Sequence, residues 1–584
     1  MSKYPNITDT NFYSKINSIY KKYKVPSKKS SMASFCMPKK YSLQLPQQFL
    51  SEFMSSNTPY NGILVYHRIG AGKTCTAIRI AEKWKNKKKI IVVVPASLKG
   101  NFRNELRSQC AENNYLTEKE RKKLSELHPS DPEFKEIIID SDKRIDKYYN
   151  IYSYNKFIEL LNDKKINFNN TLLIIDEVQN MVSEEGSYYE TLYKAIKKSP
   201  SSLRIVLLSA TPMFDKPHEI GLTMNLLKLK EEFPIGKEFE KTFINKIKKS
   251  NGSIEYKVIN MDLFKKLIKG YISYFRGAPP NTFPRMTIKY IECEMGQFQD
   301  DAYKRVLKRE EKDLAGIEGP KKLFKNLNVS DLPNNFYIGT RFVSNIVFPN
   351  TKINEEGYKS FTPDKIKKNL KKYSIKFKAI MDKIESSTGK IFIYSSFKEF
   401  GGIKSFIKVL NAYGYKDYIR DGDGSKRYAI WSGDEKISVK EQIRAVFNMN
   451  ENITGQKIKI LLGSPSIKEG VSLKAVRQVH ILEPYWNKSR IEQVIGRASR
   501  FCSHKDLPEE KRNVKVYIYI AVPYGYGRKK NLELTIDQRI QELSIRKEKI
   551  IRIFEKMIKE SAVDCELNKN ANVYKGEENI KCNK

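Results

Sequence analysis

The chain has 584 residues, of which 40% are hydrophobic and 30% are charged, a composition that excludes a disordered or low-complexity protein. Lys and Arg number 107 against 67 Asp and Glu, and the net charge of +40 indicates a polyanionic partner, either nucleic acid or an anionic membrane surface. No run of about 18 apolar residues is present, so we expect no transmembrane helix, and the first residues lack the apolar core of a secretory signal.

The seven cysteines are scattered along the chain and form no C-x-x-C pair. This spacing argues against a disulfide framework or a zinc knuckle, and we expect a reducing compartment. The five histidines form no H-x₃-H pair near a cysteine, so we expect no transition-metal site.

In chain order, the apolar pattern predicts an N-terminal extension followed by a first α/β domain. Residues 1–40 are basic and rich in turn residues, and we interpret them as an extension that packs partly on the next domain. Residues 41–225 alternate short apolar runs with helical stretches. They predict a helix at 73–84 and strands at 62–67, 90–95, 172–176 and 204–209.

The rest of the chain predicts a bridge, a second α/β domain and a C-terminal helix. Residues 226–285 are rich in Lys and Glu with helical periodicity, which predicts a helical bridging segment. Residues 286–525 form the second α/β set, with a charged, helical insertion at 300–380. Its predicted strands are 390–395, 428–431, 458–463, 479–483 and 514–522. Residues 526–584 predict an amphipathic helix at 535–561 and a mobile, polar tail after Asn568.

Both α/β sets share one pattern, in which continuous apolar runs of strand length are bounded by helices. Such runs are typical of parallel sheets that are covered on both faces. The predicted fold class is therefore α/β, with two parallel-sheet domains in tandem, helical insertions and a helical C-terminus. The length of the chain is compatible with three or four domains.

Residues 67–74 (HRIGAGKT) come directly after a predicted strand and open a predicted helix. A phosphate-binding loop needs glycines so that backbone N–H groups can surround the phosphates, a Lys for the β- and γ-phosphates and a hydroxyl for Mg²⁺. The residues that would do this are Gly70, Ala71, Gly72, Lys73 and Thr74. His67 stands where the strict pattern has its first glycine, and the alternative interpretation is a surface turn.

Asp176 and Glu177 end a buried strand in the sequence D-E-V-Q. A carboxylate at this position can hold Mg²⁺, and an adjacent Glu can activate a water for attack on the γ-phosphate. The alternative is an ordinary strand end with solvated acids. Ser209-Ala-Thr211 ends another buried strand. Upstream, Gln48 has an amide that can bind an adenine edge, with a surface Gln as an equally good interpretation.

Gln493, Arg497 and Arg500 lie on a predicted helix that follows the strand at 479–483. Because the two arginines are three residues apart, they should share one helix face. Two guanidiniums on one face suit a γ-phosphate, whose negative charge spreads in the transition state. An isolated pair of this kind is more often a solvated basic face.

In this order, the motifs resemble those of superfamily 2 helicases and translocases. The residues that carry the resemblance are Gln48, 70–74, 95–98, 176–179, 209–211, 464–473 and 493–500. Residues 94–98 (VPASL) and 101–105 (NFRNE) look like the SNF2-type version of the motif after the phosphate loop. The resemblance covers roughly residues 40 to 565, and it implies two RecA-like domains with an ATP site between them.

Three further segments are similar to helicases of the large cytoplasmic DNA viruses. They are residues 341–345 (RFVSN), 496–504 (GRASRFCSH) and 559–565 (KESAVDC). The viral relatives include poxvirus nucleoside triphosphatase I, the small subunit of the poxvirus early transcription factor and helicases of the mimivirus kind. Similar helicases also occur on cytoplasmic linear plasmids of yeasts.

The resemblance implies a role for each matching residue. Lys73 would hold the β- and γ-phosphates, Thr74 and Asp176 would position Mg²⁺, and Glu177 would activate water. Gln48 would contact adenine, and Ser209 and Thr211 would couple the nucleotide to domain closure. Gly470 would lie where the second domain meets ATP and nucleic acid. The residues that would close over the γ-phosphate are Gln493, Arg497 and Arg500, the two arginines as finger candidates.

The implied activity is an ATP-hydrolysing, nucleic-acid-dependent motor that moves on DNA, with ATP and Mg²⁺ as cofactors. Its expected setting is viral transcription, with a viral RNA polymerase as a possible partner, no membrane partner, and a location in the cytoplasmic viral factory and the virion. The oligomeric state is left open. The alternatives are an ATP-dependent RNA helicase and a transcription-factor subunit that uses ATP as a switch.

Overall fold

The computed structural model describes residues 4–27, 32–37, 41–68, 70–128, 131–182, 186–248, 250, 254–313, 337–468, 471–528, 532–574 and 578–583. The chain divides into two compact units. The first unit is Met1–Pro280 together with Ile550–Lys584, and the second is Asn281–Lys549. No helix in these ranges is long and apolar enough to span a bilayer.

The first unit is built on a six-stranded sheet whose strand order is β3-β2-β4-β5-β1-β8, with a separate antiparallel hairpin of β6 and β7. Its strands are β1 Gly62–His67, β2 Lys89–Val94, β3 Tyr149–Ser153, β4 Thr171–Ile175, β5 Arg204–Ser209, β6 Ile244–Lys248, β7 Ile254–Val258 and β8 Ile272–Phe275. Every ladder of the six-stranded sheet is parallel.

Helices flank that sheet along the chain. They are α1 Phe12–Ile19, α2 Met32–Cys36, α3 Leu45–Phe53, α4 Lys73–Glu82, α5 Lys99–Arg107, α6 Glu118–Glu126, α7 Pro132–Asp146, α8 Tyr154–Asn162, α9 Ser187–Lys197, α10 Glu219–Asn225, α11 Gly236–Phe243 and α12 Met261–Ile268. Strands β1, β4 and β5 are buried almost throughout, as their continuous apolar runs predict.

The second unit contains a seven-stranded parallel sheet in the order β11-β12-β13-β10-β14-β15-β9. Its strands are β9 Arg285–Glu294, β10 Lys390–Tyr394, β11 Lys416–Asp417, β12 Arg427–Trp431, β13 Ile460–Gly463, β14 Val476–Ile481 and β15 Asn513–Val522. Its helices are α13 Gln297–Asp313, α14 Ile338–Asn345, α15 Glu355–Ser360, α16 Pro363–Tyr373, α17 Ile375–Glu385, α18 Ile403–Ala412, α19 Tyr418–Asp421, α20 Ile437–Asn448 and α21 Lys488–Ala498.

The chain ends with α22 Ile536–Glu560, which runs from the second unit into the residues of the first, and α23 Lys569–Asn572. The predicted α/β class with two parallel-sheet domains is confirmed by the two sheets. Short 3-10 turns occur at Lys21–Tyr23, Ala96–Leu98, Gln109–Ala111, Val178–Asn180, Pro280–Thr282, Asn450–Asn452, Pro465–Lys468 and Glu509–Lys511.

The predicted bridging segment, residues 226–285, differs from the structure. It contains helices α11 and α12, but it also supplies β8, which pairs with β1 at the edge of the first sheet. Most of the segment, up to Pro280, therefore lies in the first unit. Strand β8 is only four residues long, so it has no periodicity that the sequence could reveal.

Both ends of the chain pack into the core of the first unit. Phe12 and Ile16 of the predicted N-terminal extension are fully buried in one apolar cluster with Phe49, Val563 and Leu567. The expected mobile tail after Asn568 is likewise ordered in part, since Asn572 and Ile580 are buried. The expectation that the N-terminal extension packs on the next domain is thus confirmed. The expectation of a mobile tail was wrong, because polar composition describes only the exposed side of that segment.

The expectation that the cysteines form no disulfide framework is also contradicted. Cys75 on α4 is bonded to Cys110, with their Cα atoms 5.7 Å apart, and Cys565 is bonded to Cys582. Cys293 is a buried free thiol. The sequence spacing of the cysteines did not reveal these bonds. Helix α4 packs beside the 3-10 turn Gln109–Ala111, so two cysteines that are far apart in sequence lie close together in the fold.

Candidate active site

The phosphate loop joins the end of β1 to the start of α4. Gly70 and Gly72 both have positive φ, and Gly72 is the left-handed residue immediately before the helix. The positive φ favours glycine at this position, and a Cβ there would lie 2.5 Å from Nε2 of Gln47, whose side chain would have to move. The loop therefore presents the N-terminus of α4, where backbone N–H groups and the helix dipole favour a phosphate.

Lys73 begins α4 and points its amino group toward the end of β4. Its Nζ lies 3.0 Å from Oε1 of Glu177, with the Lys73 side chain 11% exposed and that of Glu177 28% exposed. Thr74 follows Lys73 on the first turn of the same helix. The structure thus brings the predicted phosphate-binding Lys and the predicted catalytic Glu into direct contact.

Asp176 and Glu177 occupy a constrained backbone turn after β4. The Asp176 N–H donates to the carbonyl of Val93 at 2.9 Å, and Tyr154 donates its hydroxyl to the carbonyls of Asp176 and Glu177 at 2.6 and 3.0 Å. Glu177 adopts a left-handed conformation with φ 49°, which is uncommon for a residue with a side chain. These contacts fix the direction in which both carboxylates leave the sheet.

The carboxylate of Asp176 is buried and accepts a hydrogen bond from the Glu177 N–H at 2.9 Å. Burial and the neighbouring charge of Glu177 raise its pKa from 3.8 to about 6, while Lys73 acts in the opposite direction. A buried carboxylate beside a hydroxyl-bearing phosphate loop is the donor set that Mg²⁺ prefers, so Thr74 and Asp176 fit that ion.

A hydrogen-bonded chain continues from Glu177 to the end of β5. Nε2 of Gln179 donates to Oε2 of Glu177 at 2.7 Å, and Ser209 donates its hydroxyl to Oε1 of Gln179, also at 2.7 Å. The Thr211 N–H in turn donates to the Ser209 hydroxyl at 3.0 Å. Gln179 is thus the link between the phosphate site and the S-A-T motif.

Sequence reasoning missed Gln179 as a site residue, although the residue belongs to the D-E-V-Q sequence that carries the family resemblance. The signal that could have indicated a site role for Gln179 is its position, two residues after Glu177 in the turn that follows a buried strand. A side-chain amide has both a donor and an acceptor, so it can connect a carboxylate to a hydroxyl.

The adenine contact predicted for Gln48 is not tested by the structure, which places a different glutamine at the loop. Gln47 is buried and donates to the carbonyl of Gly72 at 3.3 Å, whereas Gln48 donates to the carbonyl of Leu43 at 3.0 Å. Both lie on α3, whose start is fixed by a reciprocal capping box between Gln44 and Gln47.

In the second unit, Gln493 and Arg497 lie on α21, and Arg500 does not. The helix ends at Ala498, and Ser499 has non-helical angles of φ −119° and ψ 67°. The expectation that Arg497 and Arg500 share a helix face is therefore wrong. Beyond the end of the helix, the Cys502 N–H donates to the carbonyl of Thr282 at 2.9 Å. Gly470 lies outside the described residues.

Two family models match the chain. Residues 46–336 match the SNF2-related domain, and residues 375–502 match the helicase conserved C-terminal domain. The two RecA-like sheets, the phosphate loop and the D-E-V-Q turn define an ATP-hydrolysing enzyme of superfamily 2.

Several viral proteins match this chain over most of its length. A protein of Acanthamoeba polyphaga mimivirus, named as a candidate ATP-dependent RNA helicase, is 52% identical over 99% of both chains. A candidate helicase of Invertebrate iridescent virus 3 is 29% identical over 91% of this chain and 54% of its own length. A termination factor NPH-I homologue of African swine fever virus is 25% identical over 87% of this chain and 76% of its own. The chain belongs to the viral SNF2-type family of superfamily 2 helicases.

Among solved structures, a Sulfolobus solfataricus SWI2/SNF2 ATPase core in complex with dsDNA is 16% identical to this chain. It aligns with a TM-score of 0.31 over 91% of this chain and 97% of its own. A score of this size supports no argument about individual residues.

Proposed function

We propose that the protein couples ATP hydrolysis to movement along DNA during viral transcription. The hydrogen-bonded chain from Lys73 through Glu177 and Gln179 to Ser209 carries this proposal. It connects the phosphate site to the end of β5. Loss of the γ-phosphate therefore changes a set of hydrogen bonds that extends to Ser209 and Thr211. A motor needs a link of this kind between nucleotide state and conformation.

The proposed chemistry assigns one task to each residue. The backbone of Gly70, Ala71 and Gly72 binds phosphate oxygens. Lys73 leaves its ion pair with Glu177 to contact the β- and γ-phosphates, which frees Glu177 to take a proton from the attacking water. Mg²⁺, which Thr74 and Asp176 would hold, neutralises phosphate charge when it is bound.

Residues of the second unit complete the proposed set. We assign Gln493, Arg497 and Arg500 to the γ-phosphate, where guanidinium charge stabilises the transition state. Arg497 lies on α21, whereas Arg500 lies just beyond the end of that helix.

Two observations favour DNA and transcription as the setting. The net charge of +40 suits a partner that is held through its phosphate backbone. The African swine fever virus relative is named as a termination factor homologue. By extension, we propose a viral RNA polymerase as the partner and the viral factory and virion as the location.

The second candidate function is an ATP-dependent RNA helicase, which the name of the mimivirus relative favours. ATPase rates measured without polymer and with single-stranded DNA, duplex DNA or RNA, each at two salt concentrations, separate the two. The proposal expects DNA to stimulate most, with an apparent affinity that falls as salt rises. Stimulation by RNA alone would establish the second candidate instead.

A further inference from the structure

The KESAVDC motif, residues 559–565, opens a C-terminal segment that packs behind the phosphate loop. We define this C-terminal segment as residues 561–574; it belongs to the same compact unit as the loop. The Val563 N–H donates to the carbonyl of Ile272 at 2.7 Å, so the segment joins the edge of the sheet at β8. Strand β8 is the neighbour of β1, which leads directly into the loop.

A chain of buried polar side chains runs from the segment to the first residue of the loop. Oδ2 of Asp564 accepts the Ser273 hydroxyl at 2.6 Å, and the same hydroxyl oxygen lies 2.9 Å from Nε2 of His67. All three side chains are fully buried. Because Ser273 gives its hydrogen to Asp564, the ring nitrogen must be the donor to Ser273, which fixes the His67 tautomer.

Within the described residues, Ser273 provides the hydrogen bond that holds the imidazole of His67. The other ring nitrogen, Nδ1, is buried and has no hydrogen-bond partner in that part of the chain. Burial and the charge of Lys73 lower the pKa of His67 to about 3, so the ring is neutral at physiological pH. The position of the ring therefore depends on Ser273 and, through it, on Asp564.

The segment is fastened to β8 by amide side chains. Asp564 also accepts the Tyr274 N–H at 3.0 Å and the Asn568 amide at 2.9 Å. Asn568 and Asn572 each donate to the carbonyl of Tyr274 at 3.1 Å, and Asn572 accepts the Arg276 N–H at 2.8 Å. These bonds satisfy backbone groups on the outer edge of the sheet, where no strand among the described residues pairs with β8.

The segment also packs against the loop itself. Ala571 forms a small buried cluster with Ala71 of the phosphate loop and with Phe275. Gly277, which follows β8, approaches so closely that a Cβ there would lie 2.9 Å from the Cβ of Ala71. The back of the loop is thus in van der Waals contact with residues whose position the C-terminal segment sets.

We infer that Asp564 and Ser273 are positioning residues for ATP binding, acting through His67, and that the C-terminal segment is a structural part of the phosphate site. Neither residue touches nucleotide in this scheme. They fix the position of the start of the loop, so that its backbone N–H groups keep a single orientation. The inference rests on the proposed role of the loop in binding ATP phosphates.

Ser273→Ala tests the inference, because it removes the hydroxyl that joins Asp564 to His67 and leaves the amide bonds to Tyr274 in place. We expect the ATP KM and the nucleotide Kd to rise roughly five- to thirtyfold, the effect of one lost buried hydrogen bond, with kcat nearly unchanged. Asp564→Asn should act in the same way. The NH₂ group of the asparagine is a donor, and it would face groups that themselves donate hydrogen bonds to the carboxylate.

Tyr13→Phe is the matched control. It also removes one hydroxyl that bonds to the C-terminal segment, at the carbonyl of Ser561 (3.0 Å), but not on the path to His67. Its nucleotide Kd should stay within about twofold of the wild type. A Ser273→Ala protein that binds nucleotide as the wild type does would overturn the inference. Lys73→Ala tests the loop itself, so the two failures are distinguishable.

Hydrogen exchange on the unmodified protein decides the matter if a variant does not fold. Addition of Mg–ATP should slow amide exchange in residues 561–574 severalfold, because the loop and the segment stabilise each other. Exchange in the hairpin of β6 and β7 should not change. Unchanged exchange in the segment, with nucleotide bound, contradicts the inference.

Discussion

Nζ of Lys73 lies 3.0 Å from Oε1 of Glu177, so the residue proposed to bind phosphate and the residue proposed to activate water are paired with each other. ATP binding must exchange this carboxylate for phosphate oxygens at the lysine. The same event releases Glu177 from an ion pair that would weaken it as a proton acceptor. Binding of the substrate thus prepares the base.

Glu177→Gln should separate nucleotide binding from hydrolysis. The amide cannot take a proton from water, so we expect kcat to fall by about 10²-fold or more while the nucleotide Kd stays the same or decreases. Lys73→Ala should instead lose binding. ATPase rates and nucleotide titrations measure both. The control is Lys83→Ala, which removes an exposed ion pair between the residue just after α4 and Glu52 on α3. Full hydrolysis by Glu177→Gln would refute the assignment.

Gln179→Ala should break the link between the phosphate site and Ser209. The variant loses both amide bonds, to Glu177 and to Ser209, and leaves a buried hydroxyl with one partner fewer. We expect a kcat about tenfold lower and little stimulation by nucleic acid, with the nucleotide Kd nearly unchanged. Gln179→Glu is a comparison of the same size that keeps an acceptor for Ser209 and loses the donor to Glu177. Normal stimulation of Gln179→Ala by DNA would show that the link lies elsewhere.

Asp176 predicts a pH dependence of Mg²⁺ binding. Its pKa is raised to about 6, so the carboxylate takes up a proton as the pH falls through that value. We expect the apparent Mg²⁺ affinity of the ATPase to fall about tenfold per unit below pH 6 and to be flat above pH 7. Magnesium titrations of the ATPase rate from pH 5.5 to 8 measure this. An affinity that is constant over that range would remove Asp176 from the metal site.

The same residue predicts a change in stability with a definite sign. Since the folded-state pKa of Asp176 is raised above 3.8, its contribution to stability is present below that value and is lost as the pH rises through about 6. Asp176→Asn should therefore raise the Tm at pH 8 and raise it less at pH 5. Thermal unfolding of both proteins at the two pH values tests this. A lower Tm for Asp176→Asn at pH 8 would contradict it.

The buried strands were predictable because they consist of continuous apolar runs. The run at 204–209 coincides with β5, and the run at 62–67 with β1. Strand β9 escaped prediction although it alternates, with Met286, Ile288 and Tyr290 exposed on one side. An edge strand with apolar residues on its open face does not resemble a strand buried on both faces.

The site was predictable as far as its motifs are contiguous in sequence. Lys73, Asp176 and Glu177 each belong to a local pattern, and the structure joins Lys73 to Glu177. The role of Asn568 and Asn572 was hidden because polar residues suggest solvent. These amides are instead buried and satisfy the backbone of β8. The break after Ala498 was also hidden, since a spacing of three residues does not reveal where a helix stops.

The packing of residues 561–574 against β8 has a consequence for synthesis of the protein. The first unit contains Phe12 near one end of the chain and Val563 near the other, in one core. The ribosome must therefore synthesise the whole second unit before residues 561–574 can cover β8 at the edge of the first unit's sheet and support its phosphate loop. A nascent chain that stops before residue 561 carries every ATPase motif and the edge strand β8, but it lacks the segment that covers that edge. Its phosphate loop also lacks the packing of Ala571 against Ala71.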